Sequence, residues 1–70
     1  MRKAIRRLLL QFNYNHQRRQ IDLQILWPVC RENAPDIDHA RVAFAVHVFN
    51  DPAWTTLGHD DIARRINALV

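Results

Sequence analysis

Four histidines, one cysteine and two adjacent aspartates are the side chains of this sequence that could hold a metal ion or move a proton. They are His16, His39, His47 and His59, Cys30, and Asp60 with Asp61. No two of the histidines and the cysteine stand three or four residues apart, the spacing that places two ligands on one helix face. The aspartates precede an apolar helical pattern and fit the start of a helix, where their charge matches the helix dipole. We therefore expect no metal, no cofactor and no enzymatic activity.

Positive charge is concentrated at the beginning of the chain. The 70 residues contain ten Lys and Arg against seven Asp and Glu, a net charge of +3. The first 20 residues contain six cations and no acid, so the rest of the chain carries a net charge of −3. The six cations are Arg2, Lys3, Arg6, Arg7, Arg18 and Arg19. We predict that they form the electrostatic part of a partner-binding surface, with Leu10 and Tyr14 as its apolar anchors.

A basic helical surface of this kind fits several partners. An acidic protein surface would be found by electrostatic steering, and this is the partner we favour. Nucleic acid is the main alternative, with an affinity that would fall steeply with salt. In that case the last helix could offer Arg64, Arg65 and Asn67 to a groove, but Asp60 and Asp61 would repel the phosphates. A membrane surface is the least favoured partner, a homo-oligomer is a further option, and a solvated face without any partner is the plainest interpretation.

The periodicity of apolar residues predicts helices in the first half of the chain. Residues 2–12 form an amphipathic pattern, with Ile5, Leu8, Leu9 and Phe12 on one side and Leu10 among the cations. Residues 16–33 are ambiguous, because residues 20–27 also alternate as a strand would. We favour a helix, since a single strand would have nothing to pair with. Pro28 should end or kink this helix at Trp27.

The residue pattern in the second half of the chain predicts three further helices. Residues 38–50 are apolar around nearly the whole circumference of a helix, which is typical of a buried one. Asp36 or Asp38 should cap this helix, and Asp51 with Pro52 should begin a short helix over residues 52–57. Gly58 should end that helix in a left-handed conformation, and a last helix should follow to about residue 69. The aromatic core is expected to consist of Trp27, Trp54, Phe12, Phe44 and Phe49.

These patterns together predict one all-α domain over residues 1–70. It is a small compact bundle of four to five short helices around a central buried helix at about residues 37–50. A chain with 49% hydrophobic residues and one glycine is too apolar to be disordered and too poor in glycine for a typical all-β domain. One cysteine excludes an internal disulfide, and no apolar run approaches the length of a membrane span, so we expect a cytoplasmic protein.

The pattern D-H-A-R-x-A-F-A-x-H-x-F-N-D-P-A-W over residues 38–54 resembles small helical proteins encoded by bacteriophages and prophages. It covers about a quarter of the chain and consists mostly of core, capping and turn residues. The resemblance implies a setting rather than a site: phage proteins of this size include inhibitors that bind a host enzyme or a CRISPR complex, and virion assembly factors. We therefore expect a phage-encoded modulator of a host protein, acting in the host cytoplasm, with a virion component as another alternative.

Overall fold

A computed structural model describes residues 2–70 and contains only helices and turns over that range. The helices are α1 (Lys3–Ile21), a π-helical turn (Asp22–Leu26), α2 (Trp27–Asn33), α3 (Ile37–Val48), α4 (Pro52–Thr55) and α5 (His59–Asn67). The predicted all-α class is confirmed, and residues 20–27 are helical rather than extended. Met1, with which the predicted domain begins, lies outside the described residues.

The first three segments form one continuous helix over residues 3–33, which we call the long helix. The backbone stays in the right-handed helical region at Asp22 (φ −59°, ψ −41°) and Trp27 (φ −59°, ψ −48°), where the segments join. The predicted end of the helix at Trp27 is therefore wrong, because helical residues continue to Asn33. The wider π turn, in which the Trp27 N–H donates to the Asp22 carbonyl, comes directly before Pro28. It gives the proline ring room that a regular α turn would not.

The long helix makes the molecule elongated rather than compact. Thirty-one helical residues span about 46 Å, close to the longest dimension of the molecule, 50 Å. α3 packs against α2, α4 packs against α1, and α5 packs against α3 and α4. The first half, from Arg2 to Tyr14, is exposed at every residue. The fold therefore has a helical body from which one end of the long helix projects.

Two aspartates cap the shorter helices as the sequence predicts. The Asp36 carboxylate accepts a hydrogen bond from the His39 N–H at 2.9 Å, and that of Asp51 accepts one from the Ala53 N–H at 2.9 Å. Gly58 differs from the prediction, because it is extended (φ −67°, ψ 152°) and directly precedes α5. Its role is to start the last helix rather than to end α4 through a left-handed residue.

The core lies where the three short helices meet the second half of the long helix. Phe44 stands between two tryptophans, with its ring centroid 5.6 Å from that of Trp27 and 5.8 Å from that of Trp54. Both pairs are edge-to-face, an arrangement that aromatic rings prefer. Ile62 and Val48 are also fully buried. Of the five aromatic residues predicted for the core, Phe12 (65% exposed) and Phe49 (36%) lie outside it.

The expectation that α3 is buried all round is wrong. One face is fully covered, at Ala40, Phe44 and Val48, but Val42 is 65% exposed and Val46 is 61% exposed. The long helix and α5 cover α3 from two directions. Since the first half of the long helix extends away from the body, it supplies no cover for the third side. The hydrophobic circumference of α3 thus exceeds what this chain can cover by itself.

Candidate protein-binding surface

The projecting end of the long helix, residues 2–14, carries most of the predicted site, and we call it the arm. Its apolar stripe consists of Ile5, Leu8, Leu9 and Phe12, which are 49%, 70%, 48% and 65% exposed. Burying a large apolar side chain contributes about 1.5–3 kcal/mol. Leaving four of them about half or more exposed to water is therefore a substantial loss for so small a domain, and it makes the stripe a candidate binding surface.

The stripe is exposed because the body ends before reaching it. Along the long helix, Leu8 and Phe12 are followed at helical spacing by Asn15, Arg19 and Asp22, which are buried against the short helices. The arm thus continues the inward face of the long helix beyond the elements that cover that face. The amphipathic helix predicted over residues 2–12 is confirmed from Lys3 onward, but its apolar side does not belong to the core.

A shallow groove lies where the arm meets the body. It is lined by Leu8, Gln11 and Phe12 from the arm, by Asn15 and Arg19, and by Thr56 and Leu57 from the turn between α4 and α5. Its volume is about 290 Å³, and most of its surface is apolar. One wall is therefore the arm stripe itself, so a segment docking on the arm could also contact the body.

The four cations of the arm are free of acidic partners within the described part of the chain. Arg2, Lys3, Arg6 and Arg7 are exposed, and none has a carboxylate within 4.0 Å. Exposed cations without a partner keep their full charge available for steering and for contacts with another molecule. The arm therefore presents four positive charges beside its apolar stripe.

Arg18 and Arg19, the other two predicted cations, have structural contacts. Arg18 lies with its Nε 3.6 Å from an oxygen of Asp51, and half of its side chain remains exposed. Arg19 is 7% exposed and donates from Nη1 to the Ala53 carbonyl at 2.6 Å. Desolvation by burial, followed by the positive charge of Arg65, lowers the pKa of Arg19. Arg19 is thus unavailable to a partner, whereas Arg18 can still reach one.

A buried network of hydrogen bonds, which the sequence patterns did not predict, attaches the part of the long helix that follows the arm to α4. Besides the bond from Arg19, the Trp54 indole N–H donates to the Asp22 carboxylate at 2.7 Å. The Gln11 amide donates to the Asn15 side chain at 3.0 Å, one turn further toward the arm. Buried polar groups are costly unless each has a partner, so these bonds select one packing of α4 on the long helix. The sequence feature that could have predicted this contact is the spacing of residues 15, 19 and 22, which places three polar side chains on one face of the helix.

The two predicted apolar anchors lie apart from the arm stripe. Leu10 and Tyr14 are each 62% exposed. Tyr14 lines a separate groove with Arg18 and with Val46, His47 and Asn50 at the C-terminal end of α3. The exposure predicted for Leu10 is confirmed. Both residues are accessible, and they would contact a partner that wraps around the arm rather than one that contacts only its apolar stripe.

The side chains that could do chemistry are dispersed. Within residues 2–70 no three His, Cys, Asp or Glu side chains are grouped so that they could hold a metal ion. His39 contacts the Asp36 carboxylate at 2.8 Å, and the His59 ring lies 5.6 Å from the ring of Phe49. Cys30 is buried, and burial raises the pKa of its thiol, which keeps it protonated and unreactive.

Comparison with protein-family models, with curated proteins and with solved structures finds no match to this chain. Among the described helices none is both long enough and apolar enough to cross a membrane.

Proposed function

We propose that the protein is a non-enzymatic interaction module whose arm docks into an apolar groove with an acidic rim on another protein. The observation that carries this proposal is the arm itself, a helix held away from the body with four exposed apolar side chains and four cations that have no acidic partner among residues 2–70. The apolar residues stand at positions i, i+3, i+4 and i+7. This is the spacing with which amphipathic helices fill hydrophobic grooves on their partners.

The two halves of the arm would contribute differently. The apolar stripe supplies affinity, because its side chains leave water on docking. The cations raise the rate of encounter with an acidic surface and select against basic partners. This division favours a protein partner over nucleic acid, since phosphate binding would use the cations and leave the apolar stripe uncovered. Leu10, Tyr14 and Arg18 would then contact the rim of the partner groove.

We also propose the biological setting that the resemblance implies. The protein would be a phage-encoded modulator or inhibitor of a host protein, acting in the host cytoplasm. Residues 38–54, which carry the resemblance, form α3, the following turn and most of α4, so they concern the body rather than the arm. In this proposal the body, arranged around α3 as a scaffold, holds the arm in place, and the arm determines the partner.

Affinity capture from a bacterial host lysate tests the proposal, using nuclease-treated lysate and three versions of the protein. Arg6→Glu with Arg7→Glu reverses two arm charges. Arg31→Glu with Arg64→Glu makes the same change in net charge on the body and serves as the matched control. A protein partner that binds the wild type and the control but not the arm variant supports the proposal. Leu8→Asp should abolish the same capture.

Other outcomes identify the alternatives. Capture that disappears on nuclease treatment, together with a gel shift of DNA or RNA at low salt that the arm variant loses, would assign the arm to nucleic acid. Co-sedimentation with phage particles would assign the chain to the virion. Binding that the arm and body variants lose equally would refute a specific role for the arm, since both carry the same change in charge.

A further inference from the structure

A second apolar stripe lies on the outer side of the long helix, away from the arm. Ile21, Ile25 and Val29 are 46%, 63% and 48% exposed. They follow one another at four-residue spacing through the π turn and line a single concave surface with Arg18 and His47. The π turn, which accommodates Pro28, also keeps these three side chains on one side of the helix. We call these three residues the outer stripe.

The outer stripe differs from the arm in carrying no accessible charge. Between Arg19 and Arg31 the sequence contains no base and one acid, Asp22. That carboxylate is 6% exposed and accepts the hydrogen bond from Trp54. Two copies of the arm brought together would place four cations against four others, which is unfavourable. Two copies of the outer stripe bring no like charges together, so this surface is compatible with itself.

The accessible surface of the chain is larger than that expected for a compact monomer. The accessible surface is 5425 Å², whereas a compact monomer of this mass is expected to have about 4,600 Å². The excess, roughly 800 Å², reflects the projecting arm as well as the outer stripe, and it is similar to what one partner buries in an interface of ordinary size. The radius of gyration, 13.9 Å, likewise exceeds the value of about 11 Å expected for 70 residues in a compact domain.

We propose that a second copy of this chain covers the outer stripe, with the two long helices antiparallel and a two-fold axis passing beside Ile25. In this register Ile25 meets Ile25 of the second copy, and Ile21 meets Val29. The same register places Arg18 opposite Glu32 on both sides of the axis. Such a contact uses one surface twice and closes on itself, as symmetric dimers do.

The register gives a common role to Arg18 and Glu32, which flank the outer stripe. The contact of Arg18 with Asp51, at 3.6 Å, involves Nε and leaves both terminal nitrogens free for a second carboxylate. Glu32 is exposed and has no cation within 4.0 Å among the described residues. The opposite charges at the two ends of the stripe favour the antiparallel orientation, because a parallel pair would bring like charges together.

This dimer does not depend on the function proposed for the arm, because the two surfaces are separate. An antiparallel pair would direct the two arms toward opposite ends of the assembly. Each arm would keep its apolar stripe and its cations accessible to a partner. A partner with two suitable grooves would then be held by both arms, which raises the overall affinity without any new kind of contact.

Sedimentation velocity over a range of concentrations tests the dimer. We expect the wild type to reach twice the mass of one chain, which is 8.3 kDa, and Ile25→Asp to stay at the mass of one chain at the same concentrations. Val42→Asp is the matched control, because Val42 on α3 is as exposed as Ile25 (65% and 63%) and lies off the outer stripe. It should remain dimeric. A monomeric wild type at the highest concentration measured, or a dimer that survives Ile25→Asp, would overturn the proposal.

A cross-linking experiment gives an answer even if Ile25→Asp fails to fold. A residue beside a two-fold axis meets its own copy, so Ile25→Cys should form a disulfide-linked dimer under mild oxidation. Val42→Cys and the wild type, whose Cys30 is buried, should stay as single chains. Equal cross-linking of the two variants, or none in Ile25→Cys, would contradict the proposed register. Loss of the dimer through Arg6→Glu with Arg7→Glu would instead move the interface to the arm.

Discussion

Two phenylalanines that look alike in the sequence should respond very differently to truncation. Phe44 is completely buried between the rings of Trp27 and Trp54, whereas Phe12 in the arm is 65% exposed. Phe44→Ala removes the centre of the aromatic cluster and leaves a cavity, which typically costs about 3–5 kcal/mol. Phe12→Ala removes a ring that is mostly in water, so it should change the free energy of unfolding by about 0.5 kcal/mol or less.

The predicted loss at Phe44 is large compared with the total stability of the domain. At roughly 0.05–0.15 kcal/mol per residue, 70 residues give about 3.5–10 kcal/mol. Phe44→Ala should therefore remove about 30% or more of the stability and lower Tm by at least 12 °C, at about 4–8 °C per kcal/mol. Urea denaturation followed by tryptophan fluorescence measures both variants at one protein concentration, since a dimer would make stability depend on concentration.

Either of two results would refute this reasoning. Equal destabilisation by the two substitutions would mean that the arm is packed against the body in solution, and the binding surface proposed for it would be lost. A Phe44→Ala variant within 1 kcal/mol of the wild type would mean that the aromatic cluster is not the centre of the core. The helical circular dichroism signal shows whether a variant keeps the fold, and Phe12→Ala should leave this signal unchanged.

Three further outcomes follow from the polar contacts. Asp22→Ala leaves the buried Trp54 N–H without its acceptor and should cost about 1–3 kcal/mol in urea denaturation; Asp22→Asn, which keeps an acceptor, should cost less, and equal losses would contradict the role of the hydrogen bond. Arg19→Met should destabilise more than Arg18→Met, because one side chain is buried and bonded to a carbonyl while the other makes a partly exposed ion pair worth about 1 kcal/mol or less; the reverse order in thermal melts would count against this assignment. The hydrogen bond that the Asp36 carboxylate accepts from the His39 backbone N–H lowers the pKa of this carboxyl from its ordinary value. The stabilisation from this cap is therefore complete above the unfolded-state pKa and is lost as the pH falls through the folded-state value, so Tm should decline less in acid for Asp36→Ala than for the wild type.

Local patterns in the sequence predict most of the secondary structure, because their causes are local. The caps at Asp36 and Asp51 depend on a few consecutive residues, and so does the amphipathic helix at the start of the chain. The continuity of the long helix was not predictable in the same way. Pro28 disrupts a regular α-helix, and the helix continues here with a π turn directly before the proline.

Sequence patterns could not predict which apolar surfaces are exposed. Periodicity identifies which side of a helix is apolar, but it does not say whether another element of the chain covers that side. The same pattern gives a buried Phe44 in α3 and an exposed Phe12 in the arm. Arg19 is the converse case, since a cation counted toward the basic surface is buried because the Ala53 carbonyl is within its reach.

In the complex that we propose, the body of the molecule would determine the conformation in which the arm meets its partner. Forming the first turn is the costly step in helix formation, and an isolated segment of a dozen residues is only marginally helical in water. Here the arm continues a helix whose second half is fixed by Trp27, the Asp22–Trp54 bond and the Arg19–Ala53 bond. The nucleus therefore exists before binding, and the arm only has to propagate it. Docking then orders side chains rather than the backbone, which reduces the entropic cost that a disordered peptide with the same residues would incur.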